Sequence, residues 1–249
     1  MTSLHHRQAA TTVTRPHVRL TGDFDCTIRS TRIYVPHSVE RIVAFLAIAG
    51  RPVTRAQLAG TLWPDVRDAR AYGDLRSALW RLRRHVDLVT ARQDRVGLSS
   101  NVVVDLQDLR ALADRLMGPG RPDDLARVAE LIDARDLLVG WDEEWLVVER
   151  ERYREIRMHA LERAAGHLLA CGQWLHAMLA TQAVIATDPF RESAYRLAIK
   201  IHLAEGNPAD AVRVDDSYRQ LIFDELGVRP SRLMDDLRQD AGHRLVRVS

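Results

Sequence analysis

The second half of the chain repeats itself at an interval of 34 residues. Shifting the sequence by this interval gives six identities over the eighteen positions 160–177. The identical pairs are Ala160/Ala194, Ala164/Ala198, Leu169/Leu203, Ala170/Ala204, Gly172/Gly206 and Ala177/Ala211. Small alanines let two helices approach closely, and the glycines suit helix ends that need a positive φ. The interval therefore predicts stacked helix–turn–helix pairs.

A period of 34 residues is typical of tetratricopeptide-like repeats. The glycines and prolines of residues 118–122 separate this helical part from a first half with a mixed pattern. We therefore expect a tail over residues 1–16, a first domain over 17–116, a linker over 117–122 and a helical repeat domain over 123–249. We expect the tail to be flexible.

Charge divides between the same two halves. Residues 1–116 carry a net charge of +7 and residues 117–249 a net charge of −5, although the whole chain carries only +2. A basic half joined to an acidic half suggests that the first meets nucleic acid and the second meets protein. Lys200 is the only lysine, so it is the position of the arginines, rather than their number, that is informative.

Composition excludes several classes of protein. With 46% apolar and 28% charged residues, the chain has the mixture of a globular protein. Its longest apolar run, near residues 42–49, is far shorter than the roughly 20 residues of a membrane-spanning helix. The first sixteen residues lack a secretory signal, and two cysteines without a CxxC spacing do not indicate a disulfide framework. We expect a cytoplasmic, nucleoid-associated protein without a membrane contact.

The first half shows the periodicities of two strands, three helices and a hairpin. Thr54 and Gln57 have the spacing of a capping box, in which the two side chains satisfy the start of a helix. The predicted strands are residues 18–20 and 31–35, the predicted helices 38–49, 54–63 and 68–86, and the predicted hairpin strands 88–91 and 102–106. Arg92 and Arg95 fall in the polar loop between the last two runs.

The third predicted helix has one apolar and one basic face. At 100° per residue, Leu75, Leu79, Leu82 and Val86 share one side. Four arginines lie within about 160° of arc on the other side. These are Arg76, Arg81, Arg83 and Arg84, and no acidic residue occurs between Asp74 and Asp87. Arginine is the side chain that best reads guanine in the major groove, whereas an isolated charge run is more often a solvated face.

The order of elements favours the DNA-binding interpretation. A short helix, a capped helix, a basic helix and a hairpin with arginines at its tip follow one another as in a winged helix-turn-helix. In such a fold the second helix crosses the DNA backbone, the third enters the major groove, and the hairpin reaches the minor groove.

Two sets of motifs resemble a known family. Residues 62–65 (LWPD) and 75–84 (LRSALWRLRR) resemble the OmpR-type DNA-binding domain of the actinomycete antibiotic regulatory proteins, the SARP family. The second half is similar to that family's bacterial transcriptional activator domain. The similar segments are residues 141–152, 188–194, 203–207 and 224–231, and the whole resemblance covers roughly residues 17–242.

The resemblance implies a fold and a function. The fold class is mostly α: an N-terminal winged helix-turn-helix followed by an all-α tetratricopeptide-like domain. The function is that of a transcriptional activator, not an enzyme, that binds direct repeats in double-stranded DNA near promoters and contacts RNA polymerase. We further expect the repeat domain to mediate a homodimer. Whether it also binds a small effector is left open by the sequence. We predict no cofactor and no metal site.

The resemblance also assigns roles to individual residues. Arg81 matches the arginine that reads bases, Arg76 and Ser77 its groove-facing neighbours, and Arg83 and Arg84 the phosphate contacts. Trp63 matches a tryptophan that packs under the helix pair and can touch the DNA backbone. Thr54 on the second helix and Arg92 and Arg95 on the wing complete the predicted set. The wing lacks the family's usual Gly-Tyr pair, which leaves its contacts open.

Other interpretations of the same residues remain open. Trp80 lies among the arginines, but a side chain with such a large apolar area is expected to pack against a neighbouring element. A protein-interaction scaffold, in which the repeat domain carries the function and the basic half is incidental, is the alternative to a DNA-binding regulator. An enzyme has no supporting constellation, since neither a nucleophile motif nor a phosphate-binding motif is present.

Overall fold

The computed structural model of the chain describes residues 15–85 and 88–248, without the side chains of residues 84, 85, 247 and 248. The strands are β1 (His17–Arg19), β2 (Asp25–Ile28), β3 (Thr31–Arg32), β4 (Val53–Thr54), β5 (Val89–Arg92), β6 (Arg95–Leu98) and β7 (Val103–Val104). The helices are α1 (His37–Ala49), α2 (Arg55–Leu62), α3 (Asp68–His85), α4 (Asp105–Leu116), α5 (Pro122–Leu125), α6 (Val128–Ile132), α7 (Glu144–Ala170), α8 (Trp174–Thr187), α9 (Glu192–Glu205), α10 (Pro208–Leu226) and α11 (Arg232–Val248).

The chain divides into two compact units. Within the described residues, unit 1 comprises 15–85, 88–107 and Leu138–Gly140, and unit 2 comprises Asp108–Leu137 and 141–248. The division lies upstream of residues 117–122, so the linker proposed from the sequence stays a prediction. Most of the predicted tail, residues 1–14, lies outside the described residues. Within the described ranges, no helix has both the length and the apolar character needed to cross a membrane.

Unit 1 begins with a sheet in the order β3-β2-β1-β7, in which β1 and β7 are parallel. The carboxylate of Asp105 holds the end of β1 against the start of α4. It accepts hydrogen bonds from the backbone N–H groups of Leu20 (2.8 Å), Thr21 (2.9 Å) and Leu106 (2.7 Å). A single charged acceptor thus satisfies donors from segments more than eighty positions apart in sequence.

A second sheet in unit 1 has the order β4-β6-β5, and it corrects the predicted hairpin. The partner of β5 is β6, after a two-residue turn at Gln93 and Asp94, rather than residues 102–106. β7 belongs to the other sheet and residues 105–106 begin α4. Gly97, which suggested a loop, lies inside β6. A Cβ at this position would come within 3.1 Å of the Pro52 side chain, which explains the glycine in a strand.

The three helices of unit 1 follow the predicted order. α1 buries Val39, Ile42, Val43 and Leu46 on one face and ends at Gly50, whose φ is 63°. α2 begins after Thr54 and ends at Trp63, before Pro64. α3 runs from Asp68 to His85, close to the predicted bounds.

Unit 2 contains the repeated helix pairs. α7 packs against α8, α8 against α9, α9 against α10, and α10 against α11. Residues 160, 164, 177, 194, 198 and 211, the alanines of the repeat that face the core, are all buried. Gly172 and Gly206 follow the first helix of each pair with φ of 72° and 80°. The predicted fold class, a winged helix-turn-helix followed by tetratricopeptide-like helices, is confirmed.

The repeat glycines give the first prediction. An added methyl group meets no atom within 4 Å at Gly206 or at Gly166, but only Gly206 has a positive φ. We expect Gly206→Ala to lower the free energy of unfolding by about 1 kcal/mol because of backbone strain. Gly166→Ala, inside α7, should raise it by between about 0.5 and 1 kcal/mol. Urea unfolding followed by circular dichroism measures both values, and equal effects of the two variants would refute this account.

Candidate nucleic-acid interface

Helix α3 presents two chemically distinct faces. Leu75, Leu79 and Leu82 are buried, with exposed fractions of 1%, 4% and 0%. Arg76, Ser77, Arg81 and Arg83 are exposed on the remaining surface. Burial of the leucine face fixes the rotation of the helix about its axis, so the arginines are directed into solvent. Val86 lies outside the described residues, and the side chain of Arg84 is not described.

The exposed arginines of α3 are not neutralised. Arg76, Arg81 and Arg83 make no hydrogen bond and no ion pair in the part of the chain that the structure describes. Arginine stays protonated at all physiological pH values, so each of them keeps its full positive charge and its five donors. This face can therefore bind an anionic surface without first breaking an internal ion pair.

Two aromatic side chains share this face with the arginines. Trp80 is 57% exposed and Tyr72 is 42% exposed. More than half of the Trp80 side chain is therefore accessible, and its packing against a neighbouring element stays a prediction. Positions 72, 76, 80 and 83 follow one strip of a helix, which is a signal that the sequence already contained.

The wing is a tight hairpin with an arginine at each end of its turn. Arg92 and Arg95 are the last register pair of β5 and β6, and Gln93 has a φ of 53°. Both arginines therefore lie at strand ends rather than in the predicted long loop. Arg95 donates from Nη1 to the carbonyl oxygen of Pro52 at 3.3 Å, and Arg92 is exposed.

The start of α2 is joined to the wing through its backbone. Thr54 pairs with Arg95 in the sheet, and the N–H of Arg55 donates to the carbonyl oxygen of Asp94 at 2.7 Å. The hydroxyl of Thr54 accepts a hydrogen bond from the N–H of Gln57 at 3.1 Å, which is the threonine half of the predicted capping box. The side chain of Gln57 makes no hydrogen bond within the described residues, so the reciprocal half of that prediction is wrong. The first turn of α2 and the wing turn are thus held next to each other.

Trp63 lies at the end of α2 and is half-buried. The guanidinium carbon of Arg41, from α1, lies 5.7 Å from the centroid of the Trp63 ring. The same guanidinium donates to the carbonyl oxygen of Leu62. Trp63 therefore helps to join α1 to the end of α2, in agreement with a tryptophan that packs under the helix pair.

Comparison with known proteins defines the class. A family model described as the bacterial transcriptional activator domain matches residues 104–240, more than half of the chain. This family consists of transcriptional regulators and is not a family of enzymes. The chain belongs to the bacterial transcriptional activator domain family, and it is a regulator of the SARP type that its motifs predicted.

Individual relatives match most of this chain. The regulatory protein AfsR of Streptomyces coelicolor is 29% identical over 223 residues, and that of Streptomyces griseus is 27% identical over 218 residues. Each alignment covers 82% of this chain, but only 22% of the relative's length. A solved structure of Mycobacterium tuberculosis EmbR in complex with a low-affinity phosphopeptide superposes with a TM-score of 0.74 at 20% identity. It covers 93% of this chain and 66% of EmbR.

The cap of α2 gives the second prediction. Thr54→Ala removes the oxygen that accepts from Gln57 N–H and should lower the free energy of unfolding by about 1 kcal/mol. Thr54→Ser keeps this oxygen and should change the free energy of unfolding by no more than roughly a few tenths of a kcal/mol. Thr61→Ala, inside the same helix, controls for loss of a threonine methyl and hydroxyl. Equal unfolding midpoints for Thr54→Ala and Thr54→Ser would contradict the assigned cap.

Proposed function

We propose that unit 1 binds double-stranded DNA sequence-specifically by placing α3 in the major groove. The observation that carries the proposal is the exposed face of α3, on which Arg76, Arg81 and Arg83 have no partner among the described residues. An α-helix fits the major groove of B-DNA, and a guanidinium can donate two hydrogen bonds to one guanine.

Different residues of this interface take different parts in binding. Arg81 reads a base edge, with Arg76 and Ser77 beside it in the groove. Arg83 and Arg84 contact phosphates, which set the register of the helix on the duplex without reading sequence. Trp80, exposed between these arginines, offers an apolar surface to a thymine methyl group or a deoxyribose.

The elements around α3 contact the DNA on either side of the groove. Thr54 lies at the N-terminus of α2, where the helix dipole favours a phosphate. Arg92 and Arg95 on the wing suit a narrow minor groove, whose negative potential attracts arginine. Trp63 supports α2 from below and lies close to the same backbone.

The regulator acts as an activator on direct repeats near promoters. Two copies bind neighbouring repeats, and residues 64–68, between α2 and α3, contact RNA polymerase. The connection contains Pro64, Asp65 and Arg67, which are exposed. Its place between the two helices proposed to meet DNA leaves it accessible to a polymerase bound at the same promoter. A small effector can add a further level of control through unit 2.

A protein-interaction scaffold remains the second candidate. Exposed apolar side chains on unit 2, such as Leu175 (65%) and Phe223 (63%), favour protein contacts there. A scaffold that does not bind DNA would show no affinity for any duplex selected from host genomic fragments.

Replacement of Arg81 tests the base-reading role. We expect Arg81→Ala to weaken binding to the selected site by about 10- to 100-fold and to relax specificity at one base pair, because a guanine loses its bidentate donor. Fluorescence anisotropy with the selected site and its single-base variants measures both effects. Arg29→Ala, which removes an equal charge from the exposed β2–β3 turn, is the matched control. Unchanged binding by Arg81→Ala would disprove the assigned face.

Replacement of Asp65 and Arg67 tests the polymerase contact. We expect the double variant Asp65→Ala/Arg67→Ala to keep its affinity for DNA but to lose about tenfold in activation, since it removes two polar contacts to one partner. Run-off transcription with purified polymerase, at DNA-saturating concentrations of regulator, gives the readout. Full activation by this variant would exclude these two side chains from the contact.

A further inference from the structure

Trp80 lies near the middle of the exposed face of α3. At about 100° per residue, the direction opposite the three buried leucines of this helix passes within about 15° of Ser77. Trp80 and Arg81 lie about 50° to either side of that direction, whereas Arg83 lies about 105° away from it. Because the serine between them is short, Trp80 and Arg81 extend beyond it on both sides.

The exposed surface of Trp80 differs chemically from its surroundings. Its side chain is 57% exposed, and its single polar group is the indole N–H. The rest of the ring is apolar, although guanidinium groups lie on both sides of it. Burial of such a ring against another apolar group is favourable, and leaving it in water forgoes this gain. The ring therefore favours a partner surface that carries an apolar group at a defined place.

The major groove of DNA offers one such group. Every base edge there presents hydrogen-bond donors or acceptors, and thymine adds its C5-methyl group. The other apolar part of DNA, the deoxyribose, belongs to the backbone, which carries no sequence information directly. A side chain in the middle of an inserted helix face meets base edges, while one near the side of that face meets the backbone. The position of Trp80 therefore favours the thymine methyl group over the deoxyribose.

We propose that Trp80 selects a thymine by packing on its C5-methyl group, close to the guanine read by Arg81. The two residues are adjacent and only about 1.5 Å apart along the helix axis, whereas base pairs stack about 3.4 Å apart, so the thymine lies within about two base pairs of the guanine. This contact depends on the proposed function, since α3 must first lie in the major groove. It adds an apolar contribution to specificity, because a guanidinium recognises only hydrogen-bond acceptors.

Replacement of thymine by uracil tests the contact with the unaltered protein. Uracil lacks only the C5-methyl group, so every hydrogen-bonding group and every phosphate of the selected site stays in place. We expect uracil at one thymine position to weaken binding about fourfold, which is the loss expected for one buried methyl group. The loss should persist at higher salt, because the contact neutralises no phosphate. Fluorescence anisotropy at two salt concentrations measures it.

Replacement of Trp80 identifies the side chain that reads the methyl group. We expect Trp80→Ala to weaken binding to the thymine site at least about fourfold, and the thymine and uracil sites should then bind equally well. Tyr72→Ala is the matched control, because Tyr72 is another exposed aromatic residue of α3 but lies about 125° from the outward direction. This control variant should keep the full preference for thymine over uracil.

A photochemical crosslink locates the contact without any change to the protein. 5-Iodouracil carries iodine in place of the methyl group, and irradiation of the complex should join this base to Trp80, as peptide mass spectrometry would show. A crosslink to a different residue would overturn the proposal. So would a selected site without a uracil-sensitive thymine within two base pairs of the position that Arg81→Ala relaxes, or a preference for thymine that survives Trp80→Ala.

These results would leave DNA binding itself intact. Absence of binding to any duplex would instead overturn the proposed function, and the thymine contact with it.

Discussion

Burial of the leucine face of α3 decides the direction of every arginine on that helix. Each fully buried leucine contributes roughly 1.5–3 kcal/mol, whereas a solvated arginine gains little from any one direction. The rotation of α3 is therefore set by Leu75, Leu79 and Leu82. The arginines follow from it, and so does the exposure of Trp80 between them. A change in the core beneath α3 would move the whole basic face at once.

Different interactions hold the helices of unit 2 together at its two ends. The first pairs of helices approach closely through buried alanines. Farther on, Asp215 on α10 is 1% exposed and pairs with Arg219 at 2.7 Å and with Arg238 on α11. The hydrogen bonds to Asp215 and Asp235 raise the pKa of Arg219 above its usual range, against the opposing effect of burial. A charge buried in this way requires its partners, so α10 and α11 depend on polar contacts.

The sequence predicted the elements whose periodicity reports a single buried face. The bounds of α1 and α3, the cap at Thr54 and the repeat glycines are of this kind, because each depends on neighbours within one or two helical turns. Strand pairing depends on residues distant in sequence. β4 is two residues long, and the role of Gly97 becomes evident only from its contact with Pro52. Residues 102–106 have the pattern of a hairpin strand, but pairing partners cannot be deduced from a local pattern. In the structure, β7 in this segment pairs with β1.

The residues proposed to contact DNA could be predicted from the sequence only in part. Arginine positions on α3 follow from helical geometry, but exposure of Trp80 depends on what the rest of unit 1 leaves uncovered. The resemblance to the family's motifs supplied the proposed roles of Arg76 and Arg81, which periodicity alone does not distinguish.

The turn of the wing places two like charges directly opposite each other. Arg92 and Arg95 form the final pair of the hairpin, and such a pair opposes strand association. The antiparallel pairing of β5 with β6 closes the hairpin in spite of it. The bonds from Arg55 to Asp94 and from Arg95 to Pro52 hold its turn against the segment around β4. An anion seated between the two guanidinium groups would relieve this repulsion in addition to attracting each group. The wing would then gain conformational stability from the anion that it holds.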